Sequence, residues 1–145
     1  MPKHALTVIL APLVAAFCLS TAEAAAPARS LYERMGGATI VSAVANELID
    51  ETAAHPALKR SFEGVGLPRV KALLVDQLCE ITGGPCTYVG DTMADVHAGL
   101  KITEAEMNGM VEILRKILIR HHIALRERNE LIALLAPMKR DVVTN

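Results

Sequence analysis

The sequence predicts an all-α fold, and three observations carry that expectation. Apolar residues recur at three- and four-residue steps in four separate stretches, the mark of one buried helical face each. Two pairs, Ser30 with Glu33 and Thr103 with Glu106, have the Ser/Thr-x-x-Glu form of a capping box at a helix start. No stretch alternates apolar and polar residues as a half-buried strand does, and glycine and proline fall at the joints between the helical stretches.

The elements follow in order. Ser30-Leu31-Tyr32-Glu33 opens a short helix that Gly36-Gly37 ends. From Thr39 to about Ala53, Ile40, Val41, Val44 and Leu48 form one face of a second helix. His55 before Pro56 breaks it, because a residue preceding proline avoids the helical region. Pro56 opens a short turn that carries Leu58 and ends at Ser61-Phe62-Glu63-Gly64. Pro68 starts a third helix, whose Val70, Leu73, Leu74, Leu78 and Ile81 make a broad apolar stripe, and Gly83-Gly84-Pro85 stops it. A loop from Cys86 to Thr92, holding Tyr88, leads into the segment around His97. Thr103 then caps a long helix bearing Met107, Met110, Val111, Leu114, Ile117 and Leu118. A final helix from about Leu125 carries Leu131, Leu134, Leu135 and Met138.

Of the 145 residues, 52% are hydrophobic, and part of that excess is local. Residues 1–26 combine a basic start, an apolar run from Ala5 to Leu19, and small residues at Ala22 and Ala24. That is the pattern of an export signal, cleaved after Ala24 or Ala26. The run is shorter than the ~20 residues a spanning helix needs, so no stable membrane span is expected once it is removed. Phe17 before Cys18 is a poor match to a lipidation site. Residues 27–145 then form one domain of an exported, periplasmic protein.

Net charge is −1 and no basic block occurs, which makes nucleic acid a poor candidate partner. Cys79 and Cys86 are the only cysteines after the leader. In an oxidising compartment such a pair can join, provided the chain folds back at Gly83-Gly84-Pro85. The bonded and the free state both stay open. Two thiolates alone are too few for a closed zinc site.

Aromatic residues make up 3% of the chain and tryptophan is absent, so His97 is the most chemically capable side chain in the middle of the sequence. It follows a short polar segment and has apolar neighbours. An imidazole there either packs as a hydrogen-bonded group or holds a metal. His121 and His122 are adjacent and point in different directions on a helix, and His55 sits in a turn. These three read as surface or capping groups.

Five motifs stand in register along the chain: Leu31-Tyr32-Glu33-Arg34-Met35-Gly36-Gly37, then Ser61-Phe62-Glu63-Gly64-Val65, then Gly83-Gly84-Pro85 with Tyr88 and Gly90. Met93-Ala94-Asp95-Val96-His97-Ala98-Gly99-Leu100 with Ile102-Thr103 follows, and Leu134-Leu135-Ala136-Pro137-Met138 closes the series. Together they resemble the truncated haemoglobins, and group I most, from about Ser30 to Val143. The resemblance implies a truncated globin, a two-over-two helical sandwich with haem b between the middle helix and the His97 segment. It implies that His97 is the proximal ligand of the haem iron and that Phe62 packs flat on the haem face. Met93, Leu100, Ile102, Met107 and Met110 match the proximal side and the rim. Tyr88 matches a loop tyrosine that reaches a haem propionate, with Arg69 and Lys71 as nearby basic candidates for the same job.

The far side of the pocket departs from the group I pattern. Relatives carry a tyrosine in the second helix and polar residues, often glutamine, on the middle one, and these donors hold a polar bound gas. The matching positions here are Ile49, Val70 and Leu74, all aliphatic. The resemblance therefore implies reversible binding of O2, CO or NO with rapid oxygen release, and it puts nitric-oxide dioxygenation in doubt. No acid or base suited to peroxide cleavage is evident, so no catalytic residue is assigned. Leu73 also stands where a basic residue is expected. The alternative is a haem-free, globin-derived helical module with a structural or interaction role. The physiological gas, any redox partner and the oligomeric state stay open.

Overall fold

The computed structural model describes residues 28–144. The export-signal reading of residues 1–26 lies outside them. Helix α1 spans Leu31–Met35 and α2 spans Gly37–Ala54, followed by a 3-10 turn at Lys59–Phe62. Helix α3 is Leu67–Ile81, α4 is Met93–His97, α5 is Glu104–Arg120 and α6 is Leu125–Leu135. A second 3-10 turn at Ala136–Met138 runs into α7, Lys139–Val142. Among the described residues the β-type pairing is a single isolated bridge, Ile102 to Val143. No described helix is long and apolar enough to cross a membrane.

Both capping boxes form. Ser30 Oγ accepts from Glu33 N–H while the Glu33 carboxylate accepts from Ser30 N–H, and Thr103 and Glu106 do the same for α5. These bonds satisfy donors that a helix start leaves open. Gly36 closes α1 at φ +111° and at once opens α2, so α2 begins two residues earlier than Thr39. A Cβ on Gly36 would lie 2.6 Å from Ile40 Cγ1, which adds a steric demand to the left-handed conformation.

Helix α2 is the central element and packs against both α3 and α5, while α1 braces α2 and α6. Val41, Val44, Ala45 and Leu48 of α2 meet Leu78 and Cys79 of α3, Leu114, Ile117 and Leu118 of α5, and Leu131 of α6. The α3 stripe is buried only at its far end. Leu78 is sealed, whereas Val70, Leu73 and Leu74 stay partly open because they face a cavity. On α6, Leu131 and Leu135 point inward at a four-residue step, but Leu134 is 39% exposed and leaves the core face.

Two ties hold the segment around His97. Cys79 and Cys86 are joined in a disulfide, which fastens the end of α3 to the loop carrying Tyr88. Helix α4 packs on α7, and the bridge from Ile102 to Val143, with Thr144 N–H donating to Ile102 O at 3.1 Å, pins the last turn beside it.

Candidate ligand cavity

A cavity of about 390 Å³ opens between these helices, within the ~300–1,000 Å³ usual for small-molecule and cofactor sites. Its lining is predominantly aliphatic and thioether. Ile49 of α2 and Val70 and Leu74 of α3 line it, as does Phe62 at the end of the first 3-10 turn. Met93 and His97 of α4 line it, followed by Leu100 and Ile102. Met107 and Met110 of α5 and Tyr88 of the loop complete the set of residues singled out in the sequence. One space therefore brings together side chains from α2, the first 3-10 turn, α3, α4, α5 and the loops on either side of α4.

Local structure aims the imidazole. Thr92 Oγ accepts from Asp95 N–H and caps α4, and His97 Nδ1 lies 2.8 Å from Met93 O, one turn earlier. A carbonyl only accepts, so Nδ1 carries the proton and donates. In the neutral ring Nε2 then holds the free lone pair, and it makes no hydrogen bond among the described residues. Tyr88 donates its hydroxyl to Asp91 O at 2.8 Å, and burial, then the Asp91 charge, push the phenol above its usual pKa. Gly90 permits this fold-back, since a Cβ there would sit 2.3 Å from the Tyr88 hydroxyl.

The two basic candidates lie elsewhere. Lys71 pairs with Asp50 of α2 at 2.6 Å, and Arg69 is exposed and outside the lining. Among the described residues no lysine or arginine lines the cavity. The remaining histidines do cap or face the surface. His55 ends α2 and accepts from Ala57 N–H, His121 ends α5 and pairs with Glu47, and His122 is exposed.

Four polar residues share the cavity that sequence reading did not assign to it: Thr52, Ser61, Gln77 and Glu106. Thr52 donates to Leu48 O at 2.6 Å, whereas Ser61 Oγ is buried with no partner among the described residues. Gln77 was legible in principle. It follows Val70 by seven residues and Leu74 by three, so it continues the inward α3 stripe, and it is only 8% exposed.

Glu106 belongs to a clasp across the mouth. Arg60, two residues before Phe62, donates to both Glu106 carboxylate oxygens and to the main-chain oxygens of Leu100 and Lys101. Lys101 holds a left-handed φ of +50°, uncommon for a side-chain-bearing residue, and these bonds brace it. The hydrogen bonds from Arg60, then from Thr103 N–H, hold the Glu106 carboxyl down to about 2 against an ordinary value of 4.5. The folded value lies below the unfolded one, so this contribution is complete above about pH 4.5 and is lost as pH falls toward 2. Glu106→Gln should melt a few degrees below wild type at pH 7, with the gap closing across that acid window. A gap of constant size in melting curves at several pH values would contradict the assignment.

An iron atom could not be held by this lining alone. Among the described residues no three His, Cys, Asp or Glu side chains gather to hold a metal ion, and the cavity has a single imidazole. One nitrogen ligand in an apolar slot fits a metal that brings its other ligands in a flat macrocycle.

The described residues form a helical fold with one histidine, His97, lining its cavity. Two solved structures match it at 20% identity each. One is the Fe(III) truncated hemoglobin of Tetrahymena pyriformis, with a TM-score of 0.76 over 81% of this chain and 100% of that one. The other is the 2/2 hemoglobin of Synechococcus sp. in the cyanomet state with covalently attached heme, with a TM-score of 0.74 over the same shares. The fold is thus that of the truncated, two-over-two globins. The model of the family described as bacterial-like globin matches residues 30–144, and the chain belongs to that family. Among curated relatives, a group 1 truncated hemoglobin GlbN of Mycolicibacterium paratuberculosis is 27% identical over 115 residues, 79% of this chain and 85% of the relative. A GlbN of Nostoc commune is 29% identical over 85 residues, 59% of this chain and 72% of the relative.

Proposed function

We propose that the protein is an exported truncated haemoglobin of group 1 type that holds haem b through His97 and binds a diatomic gas reversibly. The observation that carries this reading is His97 itself, whose Nδ1–H is spent on Met93 O and whose Nε2 is free beside an apolar cavity. Haem b, when bound, would supply the iron that takes O2, CO or NO, and whether a side chain of the protein also closes that iron stays open. The chain supplies the rest. The Met93 carbonyl fixes the tautomer and raises the basicity of the coordinating nitrogen. Phe62 lines the cavity with an aromatic ring, while the Tyr88 hydroxyl, which donates to Asp91 O, would have to release that bond to reach a propionate.

Ile49, Val70 and Leu74 present no donor to a polar gas. A hydrogen bond to a charged acceptor contributes about 1.5–3 kcal/mol, so its absence corresponds to roughly 10- to 100-fold weaker retention of oxygen. Carbon monoxide is less polar when bound and loses less. The protein therefore suits transient ligation, sensing or redox work, the last requiring a redox partner. The disulfide supports export, since such bonds persist in oxidising compartments.

The test is a visible spectrum of wild type and His97→Ala, each with and without carbon monoxide. Wild type should show a haem band that shifts with the gas, and His97→Ala should lose more haem affinity than the roughly 10- to 100-fold that even outer-shell partners of a metal ligand are worth. Among the described residues the lining holds no lysine or arginine, and this favours a second reading, a haem-free structural or interaction module. A wild type that purifies colourless and takes up no haemin would establish that one instead.

A further inference from the structure

Gln77 is more than nine-tenths buried on a face of α3 that is otherwise aliphatic, and among the described residues it is the one carboxamide lining the cavity. A buried amide is costly unless its hydrogens find acceptors. Its Nε2 reaches two sulfurs, Met93 Sδ at 3.4 Å and Met138 Sδ at 3.7 Å. A thioether accepts and cannot donate, which fixes the NH2 end of the amide toward the sulfurs.

The two methionines are placed to matter. Met93 is the first residue of α4, and Met138 ends the 3-10 turn that leads into α7, the helix on which α4 packs. Helix α4 has five residues and none of them is buried, so it cannot stand without such external ties. Met93 carries two bonds at once: its sulfur takes the Gln77 amide, and its carbonyl takes His97 Nδ1–H at 2.8 Å.

We infer that Gln77 is the positioning residue for the imidazole, seating Met93 through its sulfur so that the Met93 carbonyl holds His97 in the Nδ1–H tautomer. The inference rests on the reading of His97 as the iron ligand but is tested apart from it. Two variants remove the donor at similar volume, Gln77→Leu and Gln77→Met, so a folding failure of one leaves the other. In the haem-loaded ferrous protein each should shift the iron–histidine stretching band in resonance Raman spectra. Each should also speed haem loss roughly two- to tenfold, the range one net hydrogen bond supports. In a Met93→Leu background the same substitutions should add nothing, because their route to His97 is already cut.

In the haem-free full chain, 15N-histidine NMR should show the His97 signals moving from the Nδ1–H form toward the Nε2–H form in Gln77→Met. An unchanged band with an unchanged tautomer would overturn the inference, as would equal effects in both backgrounds, which would mark Gln77 as ordinary packing. A wild type without haem would refute the proposed function, and the NMR result would then decide this inference alone.

Discussion

An Ile49→Tyr variant releases oxygen roughly 10- to 100-fold more slowly than wild type, by the worth of one hydrogen bond to a charged acceptor. Ile49 is 3% exposed on the inner face of α2 and lines the same cavity as His97. A phenol there points its hydroxyl into a space whose neighbours on α3, Val70 and Leu74, are aliphatic and offer it no competing partner. Carbon monoxide release changes far less, because that ligand carries little charge when bound. Tyrosine is larger than isoleucine, and an inserted ring can strain a packed wall by 1–3 kcal/mol. Leu74→Gln, closer in volume, therefore accompanies it and slows oxygen in the same sense. Stopped-flow displacement of oxygen by carbon monoxide measures both. If neither variant differs from wild type by more than about twofold, the wild-type pocket already holds a donor, and Ser61, whose buried hydroxyl has no partner among the described residues, is the first place to look.

Reduction of the disulfide is the second large effect. Cys79 and Cys86 are seven residues apart, and the closure rule assigns a loop of this size about 2.5 kcal/mol. For a chain of this length that corresponds to a fall in Tm of roughly 8–15 °C. The bond ties the buried end of α3 to the loop that carries Tyr88 and leads to the cap of α4, so its loss also loosens the approach to His97. Urea unfolding of wild type with and without reductant measures the first effect. Cys86→Ser, at the less buried end, separates the missing bond from any action of the reductant. A midpoint indifferent to reductant and to Cys86→Ser would mean that the open chain already holds this loop in place.

Much of the fold could be read locally because its signals are local. The caps at Ser30 and Thr103, the break at His55-Pro56 and the stop at Gly83-Gly84 each act over a few residues, and each stands within two residues of its expected position. The turns after Leu135 were not legible. Residues 136–142 form a 3-10 turn and a four-residue helix, too short for periodicity to reveal, and they owe their shape to packing against α4. The cavity shows the same division. Its aliphatic and aromatic members follow from helical spacing and family motifs, and all of them line one space. The polar groups that shape it depend on partners distant in sequence: Arg60 meets Glu106 across 46 residues, and Gln77 meets Met138 across 61. No spacing rule reaches that far. Lys71 lies outside the lining for the complementary reason, since its ammonium pairs with Asp50 on a neighbouring helix.

The pairing of Val143 with Ile102 has a practical side for anyone handling this protein. Whatever displaces Val143 pulls through this bridge on a residue only five positions from the imidazole. Rates taken on protein altered at or beside Val143 then describe the alteration as much as the pocket.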